Sequence, residues 1–230
     1  MLIGPQNLAP PLTEVRSRIN RAAVRAGRDP SSVTLVAVTK SKPESMIRQA
    51  AALGVTDFGE NYVQEAAQKM QALQDLPLTW HFIGAIQSNK TRIIAASYQW
   101  VHGVDRLKTA QRLSEQRPFH APPLNICIQV ELVPEQVKGG VSPAELPDLA
   151  AAIQRLPRLR LRGLMCLPPP MRESGEQSAL FERMTALLQQ LNALGLKLDT
   201  LSMGMSEDFE LAIGAGATLV RIGSAIFGSR

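Results

Sequence analysis

The stretch VTLVAVTKSKP, Val33 to Pro43, ends an apolar run on an ammonium group, that of Lys40. A lysine delivered by a buried strand has three chemical fates. It can be neutralised in a salt bridge, for which Glu60 and Glu44 are the candidates. It can pair with a phosphate as a point charge. Or it can serve, partly desolvated, as a nucleophilic amine that condenses with a carbonyl to a Schiff base. Lys42 competes for each role, but it lies two residues further into the loop and closer to solvent. Near the other end of the chain, RIGSAIFG (Arg221 to Gly228) sets Gly223 and Ser224 where a helical turn begins and backbone N–H groups are free to meet an anion. Ser206, in SMGMS, could add a hydroxyl.

These residues matter only if the chain brings them together. Apolar runs read as strands at 33–39, 55–58, 80–84, 100–104, 124–130, 159–165, 200–204 and 218–223, with helical spacing between them. The clearest helix is 177–194, where Leu180, Met184, Leu187, Leu188, Leu191 and Leu194 share a face. A further amphipathic helix comes first, with Leu12, Val15, Ile19, Ala22 and Ala23 on one side. Strands alternating with helices imply a parallel sheet, and eight is the number that closes a (β/α)₈ TIM barrel. A doubly wound open sheet would carry a glycine-rich turn after its first strand; here that turn is TKSKPE. The expectation is one barrel domain spanning 1–230. In a barrel the C-terminal strand ends share one face, and phosphate is often held after strands seven and eight. Strand one closes against strand eight, so Lys40 would stand beside Ser206, Arg221, Gly223 and Ser224, with Glu60 and Asn61 on the same rim. The phosphate cofactor that couples to a lysine in this way is pyridoxal 5′-phosphate.

Composition narrows the remaining classes. The formal charge of +5 raises nucleic-acid binding, but the densest basic run, RLPRLRLR (Arg155 to Arg162), alternates Leu with Arg and reads as a strand entering a sheet. No nucleic-acid partner is expected. No apolar run approaches the roughly 20 residues that span a bilayer, and MLIGPQNLAPPLTEV lacks a signal-peptide pattern. A cytoplasmic protein without a membrane partner is expected. Cys127 and Cys166 read as buried free thiols, and His81, His102 and His120 lack metal-ligand spacing. His81 and His102 read as interior layer residues of their strands. Ser88 to Lys90 reads as a helix cap, and Glu207 and Asp208 as first-turn acids.

The segments LVAVTKSKP, FGENYVQEAAQK, WHFIGAIQSNK, LRLRGLM, LSMGMSEDFELAI and TLVRIGSAIFG closely resemble the YggS/PROSC family of pyridoxal-phosphate homeostasis proteins, from about Val33 to Phe227. The resemblance implies a single barrel similar to the N-terminal domain of alanine racemase. By the same resemblance, Lys40 holds the cofactor, Arg221 faces the pyridine nitrogen, and Gly223 and Ser224 are backbone donors to the phosphate. Ser206 is then its side-chain donor, and Asn61 lines the cofactor face. The sequence departs from the family after the fifth strand, where QVELVPEQVKGG, with Glu131 and Pro134, replaces the usual Asn and Gly-Glu.

An arginine facing the ring nitrogen stays protonated and cannot hand that nitrogen a proton, so carbanion stabilisation would be weak. The barrel also offers no committed second base. Tyr62 is on the correct rim, whereas Tyr98 precedes strand four and should point to the far end. The expectation is therefore a carrier that holds pyridoxal phosphate as a reversible Schiff base without efficient catalysis. A weak amino-acid racemase or lyase is the alternative. The expected partners are the cofactor and cofactor-dependent apoenzymes, and the expected state is a monomer.

Overall fold

The computed structural model describes residues 7–133, 139–169 and 174–228. Eight parallel strands pair in chain order and close: β1 (Thr34–Val38), β2 (Asp57–Glu60), β3 (Thr79–Phe82), β4 (Trp100–Val104), β5 (Leu124–Gln129), β6 (Leu159–Met165), β7 (Thr200–Ser202) and β8 (Leu219–Ile222). β8 returns to β1 in the register Val36↔Arg221, while Val36 also faces Asp57 of β2. Helix α1 (Ala9–Arg25) precedes the barrel. One helix then follows each strand in turn: α2 (Glu44–Ala52), α3 (Val63–Ala72), α4 (Thr91–Ser97), α5 (Leu107–Gln116), α6 (Leu146–Gln154), α7 (Ser174–Ala193), α8 (Phe209–Gly214) and α9 (Ser224–Phe227). This is the expected (β/α)₈ barrel with an extra N-terminal helix.

The five apolar residues picked for α1 are all buried. Its outer edge is tied to α8, where Arg18 donates to Glu210 at 2.8 Å and lies 4.6 Å over the Phe209 ring. Helix α7 buries Met184, Leu187 and Leu191 as its spacing demands. Leu194, by contrast, falls just past the helix end and is 67% exposed.

β2 begins two residues later than its apolar run. Helix α2 ends in a Schellman turn, with Gly54 at φ +81 and the Val55 N–H bonded back to Ala50 O. That hydrogen bond takes Val55 out of the sheet and moves the strand onto Asp57–Glu60. Between β6 and β7 the backbones approach so closely that a Cβ on Gly163 would lie 1.8 Å from the Thr200 carbonyl oxygen. Only glycine fits there. Ser88 to Lys90 form a 3₁₀ turn running into α4 without a side-chain cap, which corrects the capping expectation.

Strand residues alternate between the helix layer and the barrel interior. On β1 this places Val36, Val38 and, beyond the strand, Lys40 on the interior side. Polar residues there bond across the barrel: His102 of β4 reaches Ser202 of β7, strands that are not neighbours in the sheet. Two arginines of the basic run, Arg158 and Arg162, are engaged at the opposite end. Arg162 donates to Asp199 at 2.8 Å and covers the Trp100 ring at 4.8 Å, and Arg158 covers Phe119 at 4.6 Å.

Candidate functional site

The chain past β1 is held from both sides. Thr39 donates through its hydroxyl to Glu60 Oε1 at 2.6 Å, and its carbonyl accepts from Lys69 Nζ at 2.7 Å. Lys69, on α3, also donates to Glu60 Oε1 at 2.7 Å and to Glu65 Oε1 at 2.6 Å, using all three ammonium hydrogens. The next residue but one, Ser41, sits at φ +59, and its N–H donates to Glu65 Oε1 at 2.6 Å. Lys40 is therefore bracketed by two anchored residues. Its own amine makes no hydrogen bond or ion pair with any described residue.

This overturns the salt-bridge alternatives for Lys40. Glu60 alternates to the helix side of β2, where Lys69 takes it at 2.7 Å, and no ion pair joins Lys40 to Glu60 or Glu44 among the described residues. Glu60 is fully buried, and that burial holds its carboxyl above the ordinary range despite the Lys69 and Thr39 hydrogen bonds. Lys42 is committed elsewhere: its ammonium donates to Phe227 O at 2.9 Å and Gly228 O at 3.1 Å, fastening the β1 loop to α9.

Across the β1–β8 seam, the backbone N–H groups of Gly223 and Ala225 both point at Ser206 Oγ, each at 3.3 Å. Ala225 was not singled out from sequence. Ser224 stands exposed between the two amides. One turn of helix is too short for an appreciable macrodipole, so an anion placed here would meet the N–H donors themselves and not a helix field. Asp208 underpins the loop, its Oδ1 accepting from Met205 N at 2.6 Å and its Oδ2 from Gln177 at 3.0 Å; burial raises its carboxyl.

Arg221 is 4% exposed. It donates through Nη1 to Ser202 Oγ at 2.6 Å and through Nη2 to Cys166 O at 2.9 Å, and burial lowers its guanidinium from the usual value. On β2's end, Asn61 Oδ1 is buried without a hydrogen-bond partner. Glu131 donates its N–H to Val141 O at 2.9 Å; Pro134 lies outside the described residues. Both thiols are buried and free, pushed up to about 12. Tyr98 is buried against Phe82, and Tyr62 is exposed.

The set fits pyridoxal 5′-phosphate on its chemistry. It comprises a primary amine without an internal partner, neutral N–H donors gathered at Ser206 Oγ, a fixed cation, and an orphaned buried acceptor that a hydrogen-bond donor on the ring would satisfy.

Residues 12–230 match the family described as alanine racemase, N-terminal domain. A protein of Pseudomonas aeruginosa named pyridoxal phosphate homeostasis protein is 59% identical over 97% of this chain and 96% of its own. The protein of that name from Escherichia coli is 49% identical over 97% of both chains. The chain belongs to the pyridoxal phosphate homeostasis protein family. Among solved structures, PipY of Synechococcus elongatus with PLP bound superposes with a TM-score of 0.82 at 39% identity, covering 93% of this chain and 100% of PipY. Within the family's barrel, the hydrogen bonds that join the polar side chains beneath the rim are what sequence reasoning missed. His81, His102 and Ser202 were each visible on a strand, but their contact depends on closure across the barrel.

Proposed function

We propose that this homeostasis-family member binds pyridoxal 5′-phosphate reversibly at the C-terminal rim of its barrel. We further propose that it acts in balancing intracellular cofactor and amino-acid pools rather than as an efficient catalyst. The observation that carries the reading is the juxtaposition on one rim of the unpaired Lys40 amine, the amides converging at Ser206 and the buried Arg221. The names of the relatives and the PLP-bound PipY supply the cofactor's identity.

Bound there, the cofactor would supply aldehyde chemistry, and Lys40 would hold it covalently and reversibly through its amine, with water as the leaving group. The N–H groups of Gly223 and Ala225, the turn at Ser224 and the Ser206 hydroxyl would hold the phosphate. Arg221 would meet the ring nitrogen and Asn61 would line the ring face. Arg221 can only donate, so it leaves that nitrogen unprotonated and keeps the ring a poor electron sink. Lys40 sits on an open rim where water or another amine can reach it, which suits release to cofactor-dependent apoenzymes. The reading places the whole function in one barrel domain, 1–230, acting as a cytoplasmic monomer. Of the two tyrosines, Tyr62, 52% exposed, is the one on this rim, and slow racemase or lyase turnover would point to it as a second acid/base.

The test is an absorbance spectrum of the purified protein with added cofactor, before and after borohydride, beside Lys40→Ala. A Schiff-base band in the wild type, fixed by borohydride onto the Lys40 peptide and lost in the variant, is the expected result. A wild type that stays colourless with the cofactor refutes the proposal.

A further inference from the structure

The barrel interior holds a continuous line of polar side chains. Asp57 Oδ1 lies 2.9 Å from His81 Nε2, and His81 Nδ1 lies 2.9 Å from His102 Nε2. His102 Nδ1 lies 2.7 Å from Ser202 Oγ, which accepts from Arg221 Nη1 at 2.6 Å. His81, His102 and Ser202 have at most 1% exposure, and only Asp57, at the β2 entrance, has appreciable solvent contact, with 20% of its side chain exposed. Trp100 stacks on His81 with ring centroids 5.5 Å apart.

The two ends determine the direction of every hydrogen bond between them. Arg221 can only donate, and an ionised Asp57 can only accept. Working from Asp57, His81 must carry its proton on Nε2, which leaves its Nδ1 as an acceptor. His102 must then also carry its proton on Nε2 and accept at Nδ1. Ser202 fills that acceptor with its hydroxyl hydrogen and offers its oxygen to Arg221. Four bonds are satisfied with both imidazoles neutral. The reverse direction would point the His102 Nδ1–H at Ser202 beside the Arg221 N–H, leaving the hydroxyl hydrogen without a place in the line. Burial, which lowers both imidazoles, favours the same neutral state.

We propose that Ser202 is a positioning residue for the cofactor's ring nitrogen: oriented by the Asp57–His81–His102 line, it presents a committed acceptor to Arg221 and fixes the direction in which the guanidinium fork points. The proposal rests on the functional reading above, since the ring nitrogen enters only with the cofactor. It goes beyond that reading by giving the line of polar residues, with its outer end at Asp57, a role in tuning the cofactor. The Ser202 oxygen takes one corner of the fork and the Cys166 carbonyl another, so the remaining N–H groups are aimed by difference. Without the hydroxyl, Arg221 keeps one anchor and can rotate about it.

Two measurements test this. In the cofactor-free protein at pH 7, ¹⁵N–¹H correlation of the imidazoles should show His81 and His102 neutral, each protonated on Nε2. An imidazolium, or an Nδ1–H form of either ring, overturns the assigned direction. Pyridoxal phosphate titrated into Ser202→Ala should then show a displaced absorption band and about tenfold weaker binding, the equivalent of one charge-assisted hydrogen bond partly lost. Ser202→Cys keeps the side chain's size with only weak hydrogen bonding; it should show the same displacement and serves if the alanine variant does not fold. A folded variant with wild-type band and affinity overturns the positioning role. A wild type that takes up no cofactor overturns the functional reading and the positioning role with it, while the imidazole spectrum still decides the direction of the line.

Discussion

Replacing Lys69 by methionine keeps a long, flexible side chain and removes the ammonium that three acceptors share. Lys69 is 5% exposed and Glu60 fully buried, so the variant strands a carboxylate where water cannot reach it. Breaking one side of a buried pair costs about 3–5 kcal/mol. An independent route gives a similar figure. The orphaned Glu60 can escape by taking a proton, and starting from the ordinary value of 4.5 at pH 7 this requires 2.5 units, so the penalty is capped at about 3.4 kcal/mol at 1.36 kcal/mol per unit, and is lower to the extent that burial already raises Glu60 in the wild type. Protonation limits the penalty and makes it pH-dependent. With Lys69 gone, the folded-state value of Glu60 rises further above its unfolded value. The stability deficit is therefore small in acid and grows as pH climbs past the wild type's folded-state value of Glu60, itself raised above 4.5 by burial. At pH 5 the same arithmetic leaves about 1 kcal/mol. Urea denaturation of wild type and Lys69→Met at both pH values checks this, because titrating groups that do not touch Lys69 cancel in the difference, and Glu65, which Lys69 also holds, is partly exposed. A deficit of about 3–4 kcal/mol at pH 7 shrinking by about 2.5 kcal/mol at pH 5 is expected. A deficit that is the same at both values, or below about 1 kcal/mol at pH 7, refutes the account of Glu60 as a dependent buried charge.

The wild type itself should lose stability in mild acid. His81 and His102 sit buried between Asp57 and Arg221 with folded values lowered from 6.5, so the unfolded chain takes up protons first and stability falls as pH drops below that point. Two such rings remove at most about 3 kcal/mol between pH 8 and pH 5.5, readable in urea midpoints; a flat profile would count against neutral buried imidazoles. Gly163→Ala should cost about 3 kcal/mol, because its Cβ would meet the Thr200 oxygen at 1.8 Å and force β6 from β7. In a chain of this size that lowers the melting temperature by about 6–12 °C, and a variant melting with the wild type would show that the strands part freely. Lys40→Ala, which loses the cofactor, should unfold within about 0.5 kcal/mol of the cofactor-free wild type, since the amine has no internal partner to forfeit.

Several features were legible in the residues alone. Hydrophobic periodicity marks eight strands and the helices between them, because a period of 2 or 3.6 is a local property of the chain. The rim followed from one rule, that parallel strands closed in order gather their C-terminal ends on one face. That rule puts Lys40, Asn61, Ser206, Arg221 and Gly223 on one rim in sequence reasoning, and in the structure the Gly223 N–H reaches Ser206 Oγ at 3.3 Å. Local hydrogen bonding already limited the detail: the Schellman turn at Gly54 shifts β2 by two residues, a competition that apolar pattern does not register.

Tertiary structure decided which charges meet. Glu60 and Lys40 both end strands at the rim and looked like partners, but the alternation of side chains turns Glu60 to the helix side of β2 and gives it to Lys69. The line from Asp57 to Arg221 draws on five strands, with its central bond crossing from β4 to β7. No spacing along the chain encodes that contact. It exists because eight strands close around an interior narrow enough for side chains from opposite walls to touch, and because buried polar groups in such an interior must find one another.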